Sequence, residues 1–503
     1  MRTILYAVFA SVIAASRAHA ASERLTVLIS DTHFGVGHAA SGKWDNLEDA
    51  RWAPEFTAFL KEIDKQGKGA ADLVINGDAF ELWQSLAMDC IYPDAAHQDR
   101  DLGCTEQDAL RRVNRVLGQH SPELKALGDF ASSGNNRLIL LPGNHDAALL
   151  FPEVGKAVLA AIAATANRVQ LLQKGYWLSS DKLIYAEHGH QIGEELNRFD
   201  AWPTPFLNRD GRVYLQRPWG EQMVQQFYND YEKKYPVIDN FTEDSIGMGY
   251  GLAAEGRAAS FDGGAKFFRM ALFQVSMKQF ARTLGKNEGK TKWDVDAARA
   301  KGGEFLIESI PKDDPMRAVA EATLGGATLG DMTDDEIHDI CDRRAEMMAD
   351  GKQIDVCAAA SQGAAAQRSF LAPKAVITKH LNDTYKRLRD GGETSLPFQV
   401  FIYSHTHFAN GGFQPFDGSG TAWNPWVINT GAWQRIVSKE QFEKILAAKG
   451  IATNEALQKL QPEDLPSCYD TVVIPPYQTD PNFQLKGWRT NPDATGTLGS
   501  PCR

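Results

Sequence analysis

Short apolar runs recur along this chain, and most of them lead directly into a group of polar residues. Continuous apolar stretches of about 4–8 residues are typical of strands that are buried on both faces of a sheet. The pattern predicts strands at 25–29, 72–75, 137–141, 182–186, 398–403 and 471–474. The polar groups that follow the first five strands are 30–33, 76–78, 142–146, 187–190 and 404–407. Chemistry is therefore expected at the carboxyl ends of these strands.

Helical periodicity fills several of the intervals between the strands. Amphipathic patterns predict helices at 53–65 and 106–117. Strands that alternate with helices predict an α/β fold, in which ligands bind beyond the carboxyl ends of the strands.

The interval between His188 and His405 is far longer than an ordinary connection. Its pattern is mostly helical, with helices predicted at 220–235, 265–284 and 335–350, so we interpret 210–390 as an inserted helical lobe. Within it, the aromatic-rich run at 267–273 is either the core face of a helix or a patch that contacts substrate or a membrane surface.

The first twenty residues have the layout of a secretory signal peptide. Arg2 precedes an apolar run at 4–15, and Ala18-His19-Ala20 follows as a small-x-small cleavage site. We expect cleavage after Ala20 and a periplasmic or secreted protein; the alternative is an uncleaved N-terminal anchor. No later stretch reaches the 18 or so apolar residues of a membrane span, and none is predicted.

Composition and charge narrow the function classes. With 43% hydrophobic and 23% charged residues the chain is an ordinary globular mixture. The formal net charge of −11 and the lack of a Lys/Arg run argue against a broad nucleic-acid surface, although bound metals could still make a phosphate site. Six cysteines in an exported protein can form disulfides. Of the fifteen pairings, sequence proximity favours Cys90–Cys104, Cys341–Cys357 and Cys468–Cys502.

The polar groups contain a set of residues suited to two divalent metal ions. The candidate ligands are Asp31, His33, Asp78, Asn144, His188, His405 and His407. Carboxylate oxygen and neutral imidazole bind such ions, and the D-x-H and H-x-H pairs can chelate if both side chains point to the same side. Each of these motifs alone is weak evidence for a metal site. All of them occur in order, each after a predicted strand, and together they favour a binuclear centre.

These residues resemble the calcineurin-like metallophosphoesterase superfamily. Its pattern D-x-H … G-D … G-N-H-[D/E] … H … [G]-H-x-H is matched in order by 31–33, 77–78, 143–146, 188 and 404–407, with Ser404 in place of the usual glycine. The resemblance implies a four-layer α/β/β/α sandwich, here with a large helical insertion, and two metals such as Mn, Fe or Zn. It implies one metal on Asp31, His33, Asp78 and His407. It implies the other on Asp78, Asn144, His188 and His405, with Asp78 bridging.

A finer resemblance concerns GDAFELW at 77–83, which looks like the GDxFExW segment of UDP-2,3-diacylglucosamine pyrophosphohydrolases. The segment at 429–433 also looks like the closing segment common in the superfamily. The pyrophosphohydrolase branch typically has Arg where His145 stands, and its enzymes work on the cytoplasmic side. We therefore do not expect this protein to share the substrate of that branch. A purple acid phosphatase would have Tyr where Glu81 stands, which disfavours that branch.

The expected reaction is hydrolysis of a phosphate ester by a hydroxide that bridges the two metals. His145 is expected to protonate the leaving oxygen or to stabilise its charge. Asp146 either orients the His145 imidazole or caps a helix. Glu81 is expected behind the ligands or in packing, and His38 and His190 are further candidates for substrate contact. The other histidines considered, His97, His120 and His380, are expected at the surface or in the core.

The sequence thus predicts an exported phosphoesterase that acts on a phosphate-ester small molecule or nucleotide. A phosphodiesterase or a nucleotide or sugar-nucleotide pyrophosphohydrolase is the alternative within enzymes. A non-catalytic metal- or partner-binding module is the alternative of another class. The predicted organisation is a signal peptide at 1–20, a metallophosphoesterase domain in two parts at 21–209 and 391–480, the lobe at 210–390 and a C-terminal tail at 481–503.

Overall fold

A computed structural model shows a mixed α/β protein. It describes residues 22–84, 90, 101–165, 167–192, 197–242, 374–416 and 423–502, together with 247, 250, 251 and 254. The predicted signal peptide, the pair Cys341–Cys357, His97, the helices at 265–284 and 335–350 and the aromatic run at 267–273 lie outside the described residues.

The described strands are β1 (Leu25–Ile29), β2 (Ala71–Asn76), β3 (Leu102–Thr105), β4 (Arg137–Leu141), β5 (Val169–Leu171), β6 (Tyr176–Leu178), β7 (Ile184–Glu187), β8 (Phe206–Arg209), β9 (Arg212–Gln216), β10 (Val400–Tyr403), β11 (Asn410–Phe413), β12 (Trp426–Asn429), β13 (Cys468–Ile474), β14 (Gln484–Thr490) and β15 (Gly496–Gly499). The described α-helices are α1 (Ala53–Gln66), α2 (Glu106–Gln119), α3 (Ser121–Ser132), α4 (Pro152–Ile162), α5 (Trp219–Met223), α6 (Asn229–Lys234), α7 (Lys374–Asp390), α8 (Lys439–Lys449) and α9 (Ala456–Lys459). All six predicted strands and both helices predicted at 53–65 and 106–117 are present, with ends that shift by a few residues.

The strands of the described residues form three sheets. The largest has the order β15-β14-β13-β1-β2-β4-β5, the second β11-β12-β10-β7-β6 and the third β3-β9-β8. In the seven-stranded sheet β1, β2, β4 and β5 run parallel, and in the five-stranded sheet β7, β10 and β12 do. The carboxyl ends of the chemistry-bearing strands therefore lie at one edge of each sheet.

Apolar side chains join the two larger sheets face to face. Leu28 and Val74 of the seven-stranded sheet share one buried cluster with Ala186 and Ile402 of the five-stranded sheet. Strands β1, β2 and β10 are buried on both faces, which is why their residues are mostly apolar, with Thr26 in β1 and Asp72 in β2 as buried polar exceptions. The packing of the two sheets brings their polar edges together.

Helices cover the outer faces of these sheets. Phe59 of α1 and Val113 of α2 belong to the apolar cluster of the seven-stranded sheet. Ile377 and Leu381 of α7 pack with Phe401 of the five-stranded sheet. Thr105 caps the N-terminus of α2: its hydroxyl accepts a hydrogen bond from the Asp108 amide and so satisfies one of the free N–H groups of the first turn.

The boundaries predicted for the helical lobe do not coincide with structural boundaries. The segment from residue 210 enters β9, which pairs antiparallel with β3 and β8, so the lobe does not begin as a helix. The helix predicted at 220–235 is present as α5, a π-helical stretch at Val224–Tyr228 and α6. At the other end, α7 belongs to the cover of the five-stranded sheet.

Two of the predicted disulfides are confirmed. Cys90 pairs with Cys104, and Cys468 at the start of β13 pairs with Cys502 near the C-terminus. None of the helices in the described part of the chain has both the length and the apolar character needed to span a bilayer.

Candidate metal centre

The predicted ligands come together where the two larger sheets end. Asp31 and His33 follow β1, and Asp78 follows β2; these strands are neighbours in the seven-stranded sheet. His405 and His407 follow β10 of the five-stranded sheet. The carboxylate and imidazole atoms of these residues and of His188 fall into two compact groups.

The first group consists of Asp31, His33 and His407, whose ligand atoms all lie within 4.8 Å of one another. Nε2 of His407 is 3.4 Å and Nε2 of His33 is 3.8 Å from Oδ1 of Asp31. Asp31 is fully buried, yet neither of its carboxylate oxygens makes a hydrogen bond, and the same is true of Nε2 of His33. Since buried polar atoms are nearly always satisfied, this arrangement fits a cation in the group.

The second group consists of Asp78, His188 and His405. Nε2 of His188 lies 2.9 Å from Oδ2 of Asp78 and 2.9 Å from Oδ1 of Asn144. The other ring nitrogen of His188, Nδ1, lies 2.9 Å from the carbonyl oxygen of Asn76. A carbonyl only accepts hydrogen bonds, so Nδ1 carries a proton and Nε2 faces the group, as in metal-binding histidines.

The two groups approach each other at Asp31. Its Oδ1 atom, 3.4 Å from His407 of the first group, is 4.0 Å from Nε2 of His188 in the second. Asp78 directs Oδ2 toward His188, and its Oδ1 accepts a hydrogen bond from the backbone amide of His145 at 2.8 Å. The seven predicted ligands thus form one continuous cluster, while the bridging of two metals by Asp78 stays a prediction.

The electrostatics of the cluster favour positive charge. Burial disfavours a charged imidazole, but the carboxylates of Asp78 and Asp31 outweigh burial and raise the pKa of His188 to about 9. By contrast, burial and the neighbouring His188 lower the pKa of His405 to about 3, so His405 stays neutral. At neutral pH the His188 ring without metal therefore carries a second proton, on Nε2, and a metal ion that binds Nε2 would displace that proton. The neutral imidazole that results, next to ionised carboxylates, is the donor combination that divalent transition metals bind.

The backbone at the ligands is strained. Five non-glycine ligands have positive φ: Asp31 at 50°, His33 at 45°, Asp78 at 51°, His405 at 73° and His407 at 56°. The left-handed region costs a non-glycine residue about 1–3 kcal/mol at such sites, and it persists only where the surrounding structure enforces it. Five of the described non-glycine residues with positive φ are thus predicted ligands, which is consistent with the predicted site at the strand ends.

Two glycines allow the ligand side chains to approach the backbone. A Cβ on Gly77, whose φ is 92°, would lie 2.3 Å from Nδ1 of His188. A Cβ on Gly143 would lie 2.2 Å from Oδ1 of Asp78. Both distances are far below van der Waals contact, which explains why the G-D and G-N elements need glycine.

Glu81 holds two of the histidines. Its Oε2 atom accepts hydrogen bonds from Nδ1 of His33, at 2.9 Å, and from Nδ1 of His145. The indole of Trp83 stacks on the His145 ring with the centroids 3.9 Å apart. The ligand atoms of His33, Glu81 and His145 also lie within 4.8 Å of one another. That Glu81 lies behind the ligands and holds no metal itself stays a prediction, and its hydrogen bond to His145 and the stacking of Trp83 were missed. The only signal was their position in the GDAFELW segment.

Asp146 has neither of the roles predicted for it. Its carboxylate accepts hydrogen bonds from the backbone amides of Gly143, Ala79 and Phe80 at 2.6, 2.8 and 3.2 Å, and Glu81 takes the place beside His145. Asp146 does precede the 3₁₀ helix at Ala147–Leu150, but its side chain does not cap that helix. It ties the loop after β4 to the loop after β2, because the amides of both loops converge on it.

Of the other histidines that the structure describes, His190 lies next to the ligands, with its ring centroid 5.4 Å from that of His188, and His38, His120 and His380 belong to neither ligand group. His190 is buried, with its ring edge-on to Trp202 at 4.3 Å between centroids, and its Nδ1 makes no hydrogen bond. His38 is exposed and packs against Trp44. His120 is buried in the core, and His380 pairs with Glu187.

A further carboxylate group was not predicted. Asp49, Glu232 and Asp239 have oxygens within 4.8 Å of one another. Glu232 is fully buried and accepts a hydrogen bond from the side chain of Gln84. Burial, reinforced by Asp239 and Asp49, raises the pKa of Glu232 well above its usual value.

Comparison with known proteins gives no relative: no family model, no curated protein and no solved structure matches this chain.

Proposed function

We propose that this protein is a phosphoesterase that uses two divalent metal ions to hydrolyse a phosphate ester. The observation that supports it is the meeting of two ligand groups, Asp31–His33–His407 and Asp78–His188–His405, through a distance of 4.0 Å between Asp31 and His188. A single structural metal would need about four ligands and a closed site. Seven clustered ligand residues are suited to two ions.

The donor set fits the proposed metals. Carboxylate, imidazole and amide oxygen suit Mn, Fe or Zn, and the buried carboxylate of Asp31 has no other hydrogen-bonding partner among the described residues. Asp31, His33, Asp78 and His407 would hold one ion, and Asp78, Asn144, His188 and His405 the other. When bound, the ions would supply Lewis acidity toward the phosphoryl oxygens and would make water a nucleophile near neutral pH.

His145 is the residue proposed to move a proton. It is partly exposed, so a ligand can reach it, whereas the carboxylate that accepts from its Nδ1 is buried. With Nδ1–H donated to Glu81, Nε2 is the atom that would protonate the oxygen of the departing group or stabilise its charge. A module that only holds metal has no need for a histidine positioned in this way.

The packing of helices, two sheets and helices supports the proposal that the fold is the four-layer α/β/β/α sandwich of calcineurin-like metallophosphoesterases. Leu28 and Ile402 pack between the sheets, while Phe59 and Leu381 pack on the outer faces. The substrate class, whether a monoester, a diester or a nucleotide or sugar-nucleotide pyrophosphate, would be selected by residues around the metals.

Export to the periplasm or the medium is also proposed. Two disulfides support it, since cytosolic proteins rarely keep them. N-terminal sequencing of the protein isolated from its native compartment tests it: the expected chain begins at Ala21, and cytosolic protein that still begins at Met1 would rule export out.

The catalytic proposal is tested by metal content and hydrolysis. The parent should bind two equivalents of Mn²⁺ and hydrolyse p-nitrophenyl phosphate, bis-p-nitrophenyl phosphate or a nucleotide. Asp78→Asn keeps an oxygen for the amide of His145 but removes the charge, and it should lose metal and at least a hundred-fold in activity, about 2.7 kcal/mol.

Asp72→Asn is the matched control. Asp72 is a buried aspartate at the opposite end of β2, where it pairs with Arg24 and Arg137. This variant should lose stability and keep both metals. If the parent binds two metals and hydrolyses none of the substrates, the protein is a metal-binding module; if Asp78→Asn is as active as the parent, the proposed centre is wrong.

A further inference from the structure

One carboxylate oxygen serves two imidazoles at the edge of the metal centre. Oε2 of Glu81 accepts from Nδ1 of His33 and from Nδ1 of His145, and the two rings lie 4.6 Å apart between centroids. We propose that Glu81 is a positioning residue that fixes the Nδ1–H tautomer of both histidines at once. The roles of the two histidines rest on the proposed function, but the hydrogen bonds do not.

The geometry prevents Glu81 from serving one ring at the expense of the other. Its second oxygen, Oε1, accepts from the backbone amides of Trp83 and Gln84 at 2.6 and 2.9 Å. The residue is buried, and the Trp83 indole covers the His145 ring. The carboxylate is therefore held at both oxygens and cannot rotate toward either histidine.

The tautomers decide what each imidazole can do. With its proton on Nδ1, His33 directs a free Nε2 lone pair at the group that contains Asp31 and His407, as a metal ligand must. With its Nδ1 proton held by Glu81, His145 leaves Nε2 as its one atom for exchange with a substrate. The same carboxylate thus orients both His33, a proposed metal ligand, and His145, the residue proposed to deliver a proton.

Glutamine cannot replace Glu81 in this arrangement. A carboxylate is an acceptor at both oxygens, whereas an amide has one oxygen and one NH₂ group. In one orientation the NH₂ faces the amides of Trp83 and Gln84; in the other it faces the two imidazole N–H groups. Either way two donors lose their acceptor, and a neutral amide is also the weaker acceptor.

The test is Glu81→Gln in the full chain loaded with Zn²⁺, with histidine ¹⁵N spectra as the first measurement. The parent should show hydrogen-bonded Nδ1–H signals for His33 and His145, each assigned by its own glutamine variant. Both signals should shift or disappear in Glu81→Gln. Zinc affinity should fall about 10–100-fold, as for other residues that orient a metal ligand.

Glu48→Gln is the control, because Glu48 is an equally buried glutamate that accepts from backbone amides and lies 3.3 Å from His120. It should leave the signals of His33 and His145 and the zinc affinity unchanged. Persistence of both signals in Glu81→Gln would overturn the inference.

Activity provides a separate measurement. The loss of kcat/KM in Glu81→Gln should be at least ten-fold larger for phenyl phosphate than for p-nitrophenyl phosphate, since the poorer leaving group needs the proton more. An equal loss on both substrates would overturn the link to His145. If the ¹⁵N signals change as expected and the parent hydrolyses no ester, the positioning role holds and the proposed function fails.

Discussion

Oδ2 of Asp78 lies 2.9 Å from Nε2 of His188, although Asp78 follows a strand of the seven-stranded sheet and His188 follows a strand of the five-stranded sheet. The contact closes the polar edge at which the two sheets meet. A cation would bind at this contact only in the folded protein, because the unfolded chain does not hold Asp78 and His188 close together. Metal binding and folding are therefore expected to be coupled.

Removal of metal should lower the melting temperature. A metal present at a hundred times its dissociation constant stabilises the folded state by about 2.7 kcal/mol. We expect dialysis against a chelator to lower Tm and Mn²⁺ or Zn²⁺ to restore it, measured by calorimetry. In Asp78→Asn the chelator should have a much smaller effect; an equal shift in that variant would place the responsible metal elsewhere.

Gly77→Ala should disrupt the site from the backbone. The new Cβ would lie 2.3 Å from Nδ1 of His188 and would displace that imidazole. We expect loss of metal affinity together with about 2–4 kcal/mol of stability, from the clash and the left-handed φ. Gly42→Ala is the control, because Gly42 has a φ of 79° but open space around it. It should cost only the backbone strain, about 1 kcal/mol, and keep both metals; equal effects on metal affinity would contradict the prediction.

The position of the site was predictable because buried, mostly apolar strands are followed along the chain by groups of polar residues. Strand β1 is buried throughout and apolar except for Thr26, and Asp31 and His33 follow shortly after its end, so the run itself indicates where the polar edge begins. The order of the ligands along the sequence then follows the order of strand ends. No knowledge of side-chain contacts is needed for this step.

The partner of His145 was not predictable in the same way. Asp146 is its neighbour in sequence, but its carboxylate is drawn to the amides of Gly143, Ala79 and Phe80. Glu81 reaches His145 because the loop after β2 runs beside the loop after β4. That relation is set by the pairing of β2 with β4, which local sequence does not reveal.

The third sheet was missed for a different reason. Strands β3, β8 and β9 are no shorter than the predicted strand β10, but glycine or polar residues interrupt their apolar positions, and β9 begins inside the segment interpreted as a helical lobe. Without a continuous apolar run they carry little of the signal that predicts a buried strand. The apolar positions of α7 are those of any amphipathic helix, so they do not show whether the helix belongs to an inserted lobe or covers a sheet. Its packing with Phe401 shows that it covers the five-stranded sheet.

Glu232→Gln should stabilise the protein, and more strongly as the pH rises. Burial and the neighbouring Asp239 and Asp49 raise the pKa of Glu232 above its value in the unfolded chain, about 4.5. The folded state therefore binds a proton more tightly there, and the contribution of Glu232 to stability declines as pH rises above about 4.5. The gain in Tm for Glu232→Gln should be larger at pH 8 than at pH 5. Glu153→Gln, at an exposed position on α4, should show no such trend; a gain for Glu232→Gln that is independent of pH would contradict the assigned pKa shift.

Loss of the Cys468–Cys502 disulfide should destabilise the protein more than loss of Cys90–Cys104. The two bonds span sequence separations of 34 and 14 residues. In the chain-entropy view, a disulfide typically contributes about 2–4 kcal/mol, and this ratio of loop lengths adds about 0.8 kcal/mol to the longer loop. Double serine variants of each pair, unfolded in guanidinium chloride, measure the two losses. The longer loop also ties the end of the chain to β13, which pairs directly with β1, so reduction should loosen the strand that precedes Asp31 and His33. An equal or smaller loss for Cys468–Cys502 would show that native contacts, and not closure of the unfolded loop, set the contribution of these bonds.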